Sequence, residues 1–304
     1  MNSAGILTVR ANWVEGRVEN LAVELRRPTV TRLFIGQLPD AVVKTVPYLY
    51  TLCAEAQRTA AQCAVAAARG EPPLPADDRA LWLELLHENL WRLLLDWPTA
   101  LGLAKEKDAF IEWRAERLGD KGLAVTQTLL DSTLRPLSEK CLERLVHRSS
   151  AAMPVTGFDA EGWLGFWRGE ADHRPAIVGP SCVAAAYRAR LADVEQAVAA
   201  LVERAPYPIV HAGGQGWGVG QVLTARGVLT HAIHVEEGLV ANYRVQAPTD
   251  GFFADAAPLA ALLAERTFAD GEAARQGIEQ AILALDPCLP YELVVCLANS
   301  EHES

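Results

Sequence analysis

Three observations predict a mostly helical α+β fold: strand-like alternation near the N-terminus, the same alternation again after Gly213, and helical recurrence of apolar residues over most of the chain between them. Residues Ile6 to Leu25 alternate around Val14-Glu15-Gly16-Arg17, the pattern of a β-hairpin. From about Asp40 to Ala68 the chain turns helical and alanine-rich; Pro47 interrupts it, so regular helix is expected only beyond that residue. The proline-laden stretch Arg69-Gly70-Glu71-Pro72-Pro73-Leu74-Pro75 ends that helix. Asp78 then opens an amphipathic segment with Leu81, Trp82, Leu85, Leu86, Leu90, Trp91 and Leu94 at helical spacing, closed by Asp96-Trp97-Pro98. Further helices are expected over Lys105 to Leu118, Leu123 to Val146 and Cys182 to Arg204. Val228 to Ile233 and Leu239 to Val245 alternate around Glu236-Glu237-Gly238, a second hairpin. A last helix, from about Glu272 to Leu285, leads into Asp286-Pro287-Cys288. The chain reads as one domain over residues 1–304, with Arg148 to Gly157 the place for an internal division.

Composition removes several function classes. With 304 residues, half of them hydrophobic, the chain can bury a substantial core. A formal net charge of −10 argues against a nucleic-acid partner, since phosphate binding needs clustered Lys and Arg. No apolar run reaches the roughly 20 residues that cross a bilayer, and Met1-Asn2-Ser3-Ala4-Gly5 lacks the features of a signal peptide. A cytoplasmic protein with no membrane partner is expected. The six cysteines, at 53, 63, 141, 182, 288 and 296, form no C-x-x-C pair and are expected to be free thiols. A claim for any of them has to rest on its neighbours, because a buried cysteine is commonly just a small hydrophobic residue.

Ordinary catalytic motifs are missing. Gly213-Gly214-Gln215-Gly216-Trp217-Gly218-Val219-Gly220 resembles a phosphate loop, yet no frame gives G-x-G-x-x-G and no P-loop lysine follows. A flexible connection into the second hairpin is the plainer expectation. His87-Glu88 would start a zinc-protease helix, but Trp91 stands where the second histidine is due, so His87 reads as a surface or packing residue. His231 and His234 lie on opposite faces of a strand and cannot easily share a metal.

Three segments carry a resemblance. Leu285-Asp286-Pro287-Cys288-Leu289-Pro290-Tyr291 is similar to the D-P-C-x-x-C-x-x-H signature of nickel–iron hydrogenase large subunits. Cys288 matches the first cysteine, Tyr291 replaces the second and Val294 the histidine. Thr224-Ala225-Arg226-Gly227-Val228-Leu229-Thr230-His231, followed by Gly238 to Thr249 with its Ala241-Asn242-Tyr243, resembles the family's A-P-R-G-x-L-x-H stretch and the hairpin after it. Tyr48-Leu49-Tyr50-Thr51-Leu52-Cys53-Ala54-Glu55-Ala56-Gln57 occupies the place of R-x-C-G-x-C-x-x-x-H, with Tyr50 and Cys53 at its cysteines and Gln57 at its histidine. The helix around Tyr187-Arg188-Ala189-Arg190-Leu191 weakly resembles the family's A-R-x-x-E-type helix.

The resemblance implies a large-subunit-like helical core with short antiparallel β-hairpins near both ends. It further implies a degenerate branch, the hydrogenase expression/formation (maturation) proteins of the HupK/HoxV type. In the catalytic family four thiolates hold nickel, and two of them bridge to an iron carrying cyanide and carbon monoxide. Here Cys53 matches a bridging position and Cys288 one that binds nickel alone. A phenol titrates near 10, so Tyr50 and Tyr291 are poor substitutes. The family's N-terminal glutamate has no clear counterpart: one register places it near Ala4-Gly5, another at Glu15-Gly16. Hydrogen turnover and stoichiometric nickel are not expected. Two thiols, Cys53 and Cys288, are left as candidate metal ligands for a transient Fe(CN)2CO-type iron fragment, since thiolate is a soft ligand. Arg226 matches the arginine that reaches towards the diatomic ligands and would donate to cyanide nitrogens. The expected role is a non-catalytic scaffold whose partners are hydrogenase maturation chaperones and the hydrogenase large subunit. A metal-free module binding the same partners stays open, as does an Arg226 that only pairs with Glu236 or Glu237. Thiol redox chemistry is disfavoured, because nothing cationic flanks either cysteine in sequence except the more distant Arg58.

Overall fold

The computed structural model describes residues 5–145 and 157–297. Most of the Arg148–Gly157 stretch therefore lies outside the described residues. Strand β1 (Ile6–Val14) turns back into β2 (Arg17–Arg26) through Glu15 and Gly16, both at positive φ, as a two-residue hairpin matching strand twist requires. A short 3-10 turn (Val30–Phe34) leads to α1 (Pro39–Leu49) and, after a corner at 50–53, to α2 (Ala54–Arg69). Pro47 does not delay the first helix as expected. It lies inside the last turn of α1, where the single helical bond it forgoes is that to the Val43 carbonyl, and its ring is buried.

Helix α3 (Asp78–Trp91) is capped by Asp77, whose carboxylate accepts from the Ala80 N–H. Asp96-Trp97-Pro98 does not close it. A π turn at Arg92–Asp96 carries the helix into α4 (Trp97–Ala100), and Pro98 falls in the first turn after that change of register, where no N–H is needed. The same device recurs: after α5 (Lys107–Glu116), helix α6 (Gly122–Leu129) passes through a π turn at Leu130–Leu134 into α7 (Arg135–Arg144), with Pro136 in its first turn. Beyond the undescribed stretch come α8 (Ala160–Arg168), which the sequence did not announce, and α9 (Val183–Glu203).

Strands β3 (Ile209–Gly214), β4 (Trp217–Thr224), β5 (Gly227–Glu236) and β6 (Leu239–Gln246) form an antiparallel meander. The glycine-rich stretch expected as a flexible connection is instead the β3–β4 hairpin. Its glycines make room for a helix: a Cβ at Gly218 would sit 1.9 Å from the Ala64 carbonyl oxygen, and one at Gly220 2.2 Å from that of Ala60. The alanines of α2 thus lie directly on the backbone of β4, a close approach that only paired small residues permit.

Short helices α10 (Pro248–Phe252) and α11 (Ala257–Leu263) lead to α12 (Gly271–Leu285). Strand β7 (Tyr291–Leu297) then pairs parallel to β1, Leu7 opposite Tyr291, making a second sheet of order β2-β1-β7. The N-terminal hairpin is therefore part of a mixed sheet. The main core gathers β1, α3, α9 and α12, with Trp97, Trp113 and Tyr187 fully buried.

Candidate metal-fragment site

Cys53, Cys288, Arg226, Tyr50 and Gln57, named from three separate segments of the sequence, all line one cavity of about 300 Å³. The corner leading into α2, with the first turn of that helix, places Tyr50, Cys53 and Gln57, the β4–β5 turn Arg226, and the end of α12 Cys288. Cys53 is the residue before α2, in a non-helical conformation (φ −132°, ψ 55°) that turns the chain out of the Tyr50 corner. The two free N–H groups that follow it, on Glu55 and Ala56, donate to the Glu84 carboxylate of α3 at 2.8 and 2.9 Å. This is a cap supplied from another helix. Burial pushes Glu84 up to about 7 even though those donors pull it down.

Gln57 Nε2 points at Cys53 Sγ, 3.5 Å away, while its Oε1 lies 2.8 Å from His231 Nε2. His231 therefore donates from Nε2 and accepts at Nδ1 from the Tyr243 hydroxyl, at 2.5 Å. Burial holds its pKa down to about 3, so the ring is neutral and structural. His234 stacks on Trp217 and faces the opposite way, as strand alternation requires. His87 packs among Trp91, Phe110 and Trp113.

Burial pushes the Cys53 thiol up to about 12, against the pull of Arg226. Cys53 is a thiol, not a resting thiolate. Iodoacetamide at pH 8 is accordingly expected to modify the exposed Cys296 long before Cys53. Peptide mapping by mass spectrometry reads the ratio, and equal labelling would contradict the burial.

Cys288 follows Asp286, which ends α12 in the left-handed region (φ 48°), and Pro287. Its N–H donates to Thr249 Oγ1 at 3.2 Å, so the Pro248-Thr249 end of the hairpin match fixes the D-P-C end. Its sulfur has a neighbour the sequence did not disclose: Arg27 Nη2 lies 2.8 Å from Cys288 Sγ. Arg27 in turn pairs with Asp250 at 3.2 Å. Sequence reasoning found nothing cationic beside this cysteine; the cation comes from the end of β2, 261 residues away.

Arg226 is buried on the two-residue turn between β4 and β5, with a side chain 5 % exposed. The expected alternative, a pair with Glu236 or Glu237, is excluded by the length of β5: ten residues at about 3.3 Å each separate the two ends. Nη2 donates instead to Glu88 at 2.9 Å, and Nε lies 3.3 Å from Asp286. Asp286 also accepts from Arg92 Nε at 2.7 Å and Arg190 Nη2 at 2.6 Å. Burial alone would raise the Asp286 carboxyl, but Arg190, Arg226 and Arg92 together hold it well below the usual carboxylate range. Arg190 belongs to the weakly matching helix, whose only visible signal was that match. Arg226 Nη1 is buried and has no hydrogen-bond partner among the described residues.

Two of the matched positions stay outside. Tyr291 at the start of β7 and Val294 in its middle are 42 % and 44 % exposed, and neither lines the cavity. Of the two registers for the glutamate, Glu15 sits at the β1–β2 turn away from the cavity, whereas Gly5 lines it; Ala4 lies outside the described residues.

Among the described residues no group of three or more His, Cys, Asp or Glu could hold a metal ion. Two thiols therefore suit a metal that arrives with ligands of its own better than a bare one, for which structural sites use about four protein ligands. The orphaned Nη1 suits an acceptor on those ligands.

No family model matches the chain. It is 29% identical to the hydrogenase expression/formation protein HupV of Azotobacter chroococcum mcd 1, covering 96% of this chain and 99% of that one. It is equally 29% identical to HupK of Azotobacter vinelandii, with the same coverage, and 26% identical to HoxV of Cupriavidus necator over 99% and 100%. Its fold is similar to that of the Ni-Fe-Se hydrogenase from D. vulgaris Hildenborough, with a TM-score of 0.62 and 13% identity over 91% of this chain and 94% of the other. Among the described residues no helix is long and apolar enough to cross a membrane. Over nearly its whole length the chain is similar in sequence to hydrogenase expression/formation proteins, and it shares the fold of nickel–iron hydrogenase large subunits.

Proposed function

We propose that the chain is a non-catalytic maturation scaffold that holds an iron–cyanide–carbonyl fragment between Cys53 and Cys288 and passes it to the hydrogenase large subunit. The names of its homologues support a part in hydrogenase maturation. The observation that carries the finer reading is the convergence on one cavity of both cysteines and Arg226, whose Nη1 is buried without a hydrogen-bond partner among the described residues. Cys53 and Cys288 would ligate the iron as thiolates, each losing its proton on binding. Arg226, clamped by Glu88 and Asp286, keeps one edge free to donate to a cyanide nitrogen.

Infrared spectroscopy on protein purified anaerobically from hydrogenase-forming cells tests this. Bands of metal-bound cyanide and carbon monoxide are expected, lost in Cys53→Ala and in Cys288→Ala. The same preparation is expected to lack stoichiometric nickel and to leave a viologen dye unreduced under hydrogen. A spectrum without bands, together with one-to-one binding to the large subunit, would replace the reading with a metal-free binding module for chaperones or subunits. That second reading has its own observation. Leu33, Leu38 and Tyr48, on the stretch leading to the cavity, are 65 %, 64 % and 81 % exposed, and such apolar side chains suit protein contacts.

A further inference from the structure

We propose that Arg27 is a specificity-determining residue: hydrogen-bonded to Cys288 Sγ, its guanidinium keeps a bare divalent cation off that sulfur and leaves the site to a metal unit of no net positive charge. The inference rests on the reading of Cys288 as a ligand thiol.

Three observations meet here. Arg27 Nη2 lies 2.8 Å from the sulfur, close enough to occupy one of its approaches. The guanidinium is pinned, because Asp250 holds its other arm at 3.2 Å. The residues lining the cavity include two arginines, Arg27 and Arg226, and no carboxylate. The carboxylates that pair with them, Asp250 for Arg27 and Glu88 and Asp286 for Arg226, do not line the cavity, so at the Cys288 sulfur the adjacent Arg27 guanidinium outweighs its partner and the local potential is positive. Ni²⁺ or Zn²⁺ entering the cavity would meet that potential with two charges. An iron(II) already carrying two cyanides has no net charge and meets it with none, while its cyanide nitrogens accept hydrogen bonds from the same arginines. Discrimination thus comes from charge, in a place where two thiols alone would attract soft divalent metals indiscriminately. Loss of Arg27 favours a metal over the proton competing for the sulfur, because the guanidinium repels a doubly charged ion twice as strongly as a proton.

The test uses purified, metal-free full-length protein and Co²⁺ or Ni²⁺ alone. Thiolate-to-metal charge-transfer absorbance and equilibrium dialysis report binding. Arg27→Met is expected to bind Co²⁺ about tenfold tighter than wild type. Arg27→Lys keeps the charge and is expected to behave like wild type. The gain should vanish when Arg27→Met is combined with Cys288→Ser. It should persist when combined with Asp250→Asn, which separates loss of the cation from release of a carboxylate. The proposal is overturned if folded Arg27→Met binds no tighter than wild type, if the gain survives Cys288→Ser, or if it depends on Asp250. Absence of cyanide and carbonyl bands in the wild type would sink the iron reading alone, since the cobalt comparison needs no iron fragment.

Discussion

Asp286→Ala is expected to lower the unfolding free energy by about 3–5 kcal/mol, the largest effect of any single change at the site. The carboxylate is 1 % exposed and faces three guanidiniums, Arg92, Arg190 and Arg226. Its removal takes away the one carboxylate that all three guanidiniums share, leaving Arg92 to Asp96, Arg226 to Glu88 and Arg190 to the field of Asp193, so the cost is that of poorly matched buried charge. Asp286→Asn, which keeps the shape and removes the charge, is expected to recover little of the loss. Urea unfolding at pH 7 reads both. The pH dependence has a definite sign. Arg190, Arg226 and Arg92 depress the folded-state pKa despite burial, so the Asp286 contribution is complete above the unfolded value of about 3.9. It is lost as pH falls below that towards the folded value. Wild type should therefore lose stability steeply below about pH 4, and Asp286→Asn less steeply. A variant within about 1 kcal/mol of wild type at pH 7 would mean that the cluster does not depend on its central acid.

Gly218→Ala is the second severe change, although it adds one methyl group to a strand. The new Cβ would meet the Ala64 carbonyl oxygen at 1.9 Å and the Ala68 amide nitrogen at 2.4 Å. Both are backbone atoms of α2, so no side chain can rotate away; helix and sheet must separate. Overpacking of this kind costs about 1–3 kcal/mol and occasionally more, and here the upper end or beyond is expected. The consequence reaches the site because α2 begins at Cys53. Thermal unfolding should show the loss of stability, and Cys53 should become reactive to iodoacetamide at neutral pH. Gly214→Ala is the control on the same hairpin, since a Cβ there meets nothing within 4 Å.

The two glycine positions show where sequence reading stopped. A run of glycines means a loop unless another backbone lies against it, and only the fold shows α2 crossing β4. The hairpin turns at Glu15-Gly16 and Glu237-Gly238 were legible because their signal is local: a residue and a glycine, both at positive φ. Pro98 looks like a helix stop, yet a π turn just before it absorbs the missing N–H, as another does before Pro136 within the segment read as one helix. At the site, Cys53, Arg226 and Cys288 were legible through the motifs that hold them, and the structure gathers them around one cavity. Arg27, Glu88 and Arg190 were not. Each makes its defining contact across 96 or more residues of chain, and a charged residue on an amphipathic helix or at a strand end reads as solvated until its partner is known. Strand β7 was hidden for a related reason: its residues continue a motif in which Tyr291 was read as a substituted ligand, whereas they form the strand that pairs with β1.

The pairing of β7 with β1 also sets an order in time. Leu7 and Tyr291 are neighbours in the sheet, yet the ribosome delivers them on the order of tens of seconds apart. Until the later strand emerges, β1 has only β2 beside it, and Cys288 and the Asp286 that gathers the three arginines do not yet exist as part of the fold. Cys53 and Arg226 are synthesised earlier, with most of the cavity lining, but lack the wall that Cys288, Leu289 and Pro290 supply. The two-cysteine cavity, the three-arginine cluster and the mixed sheet are therefore completed together, by the segment that runs from Asp286 through β7.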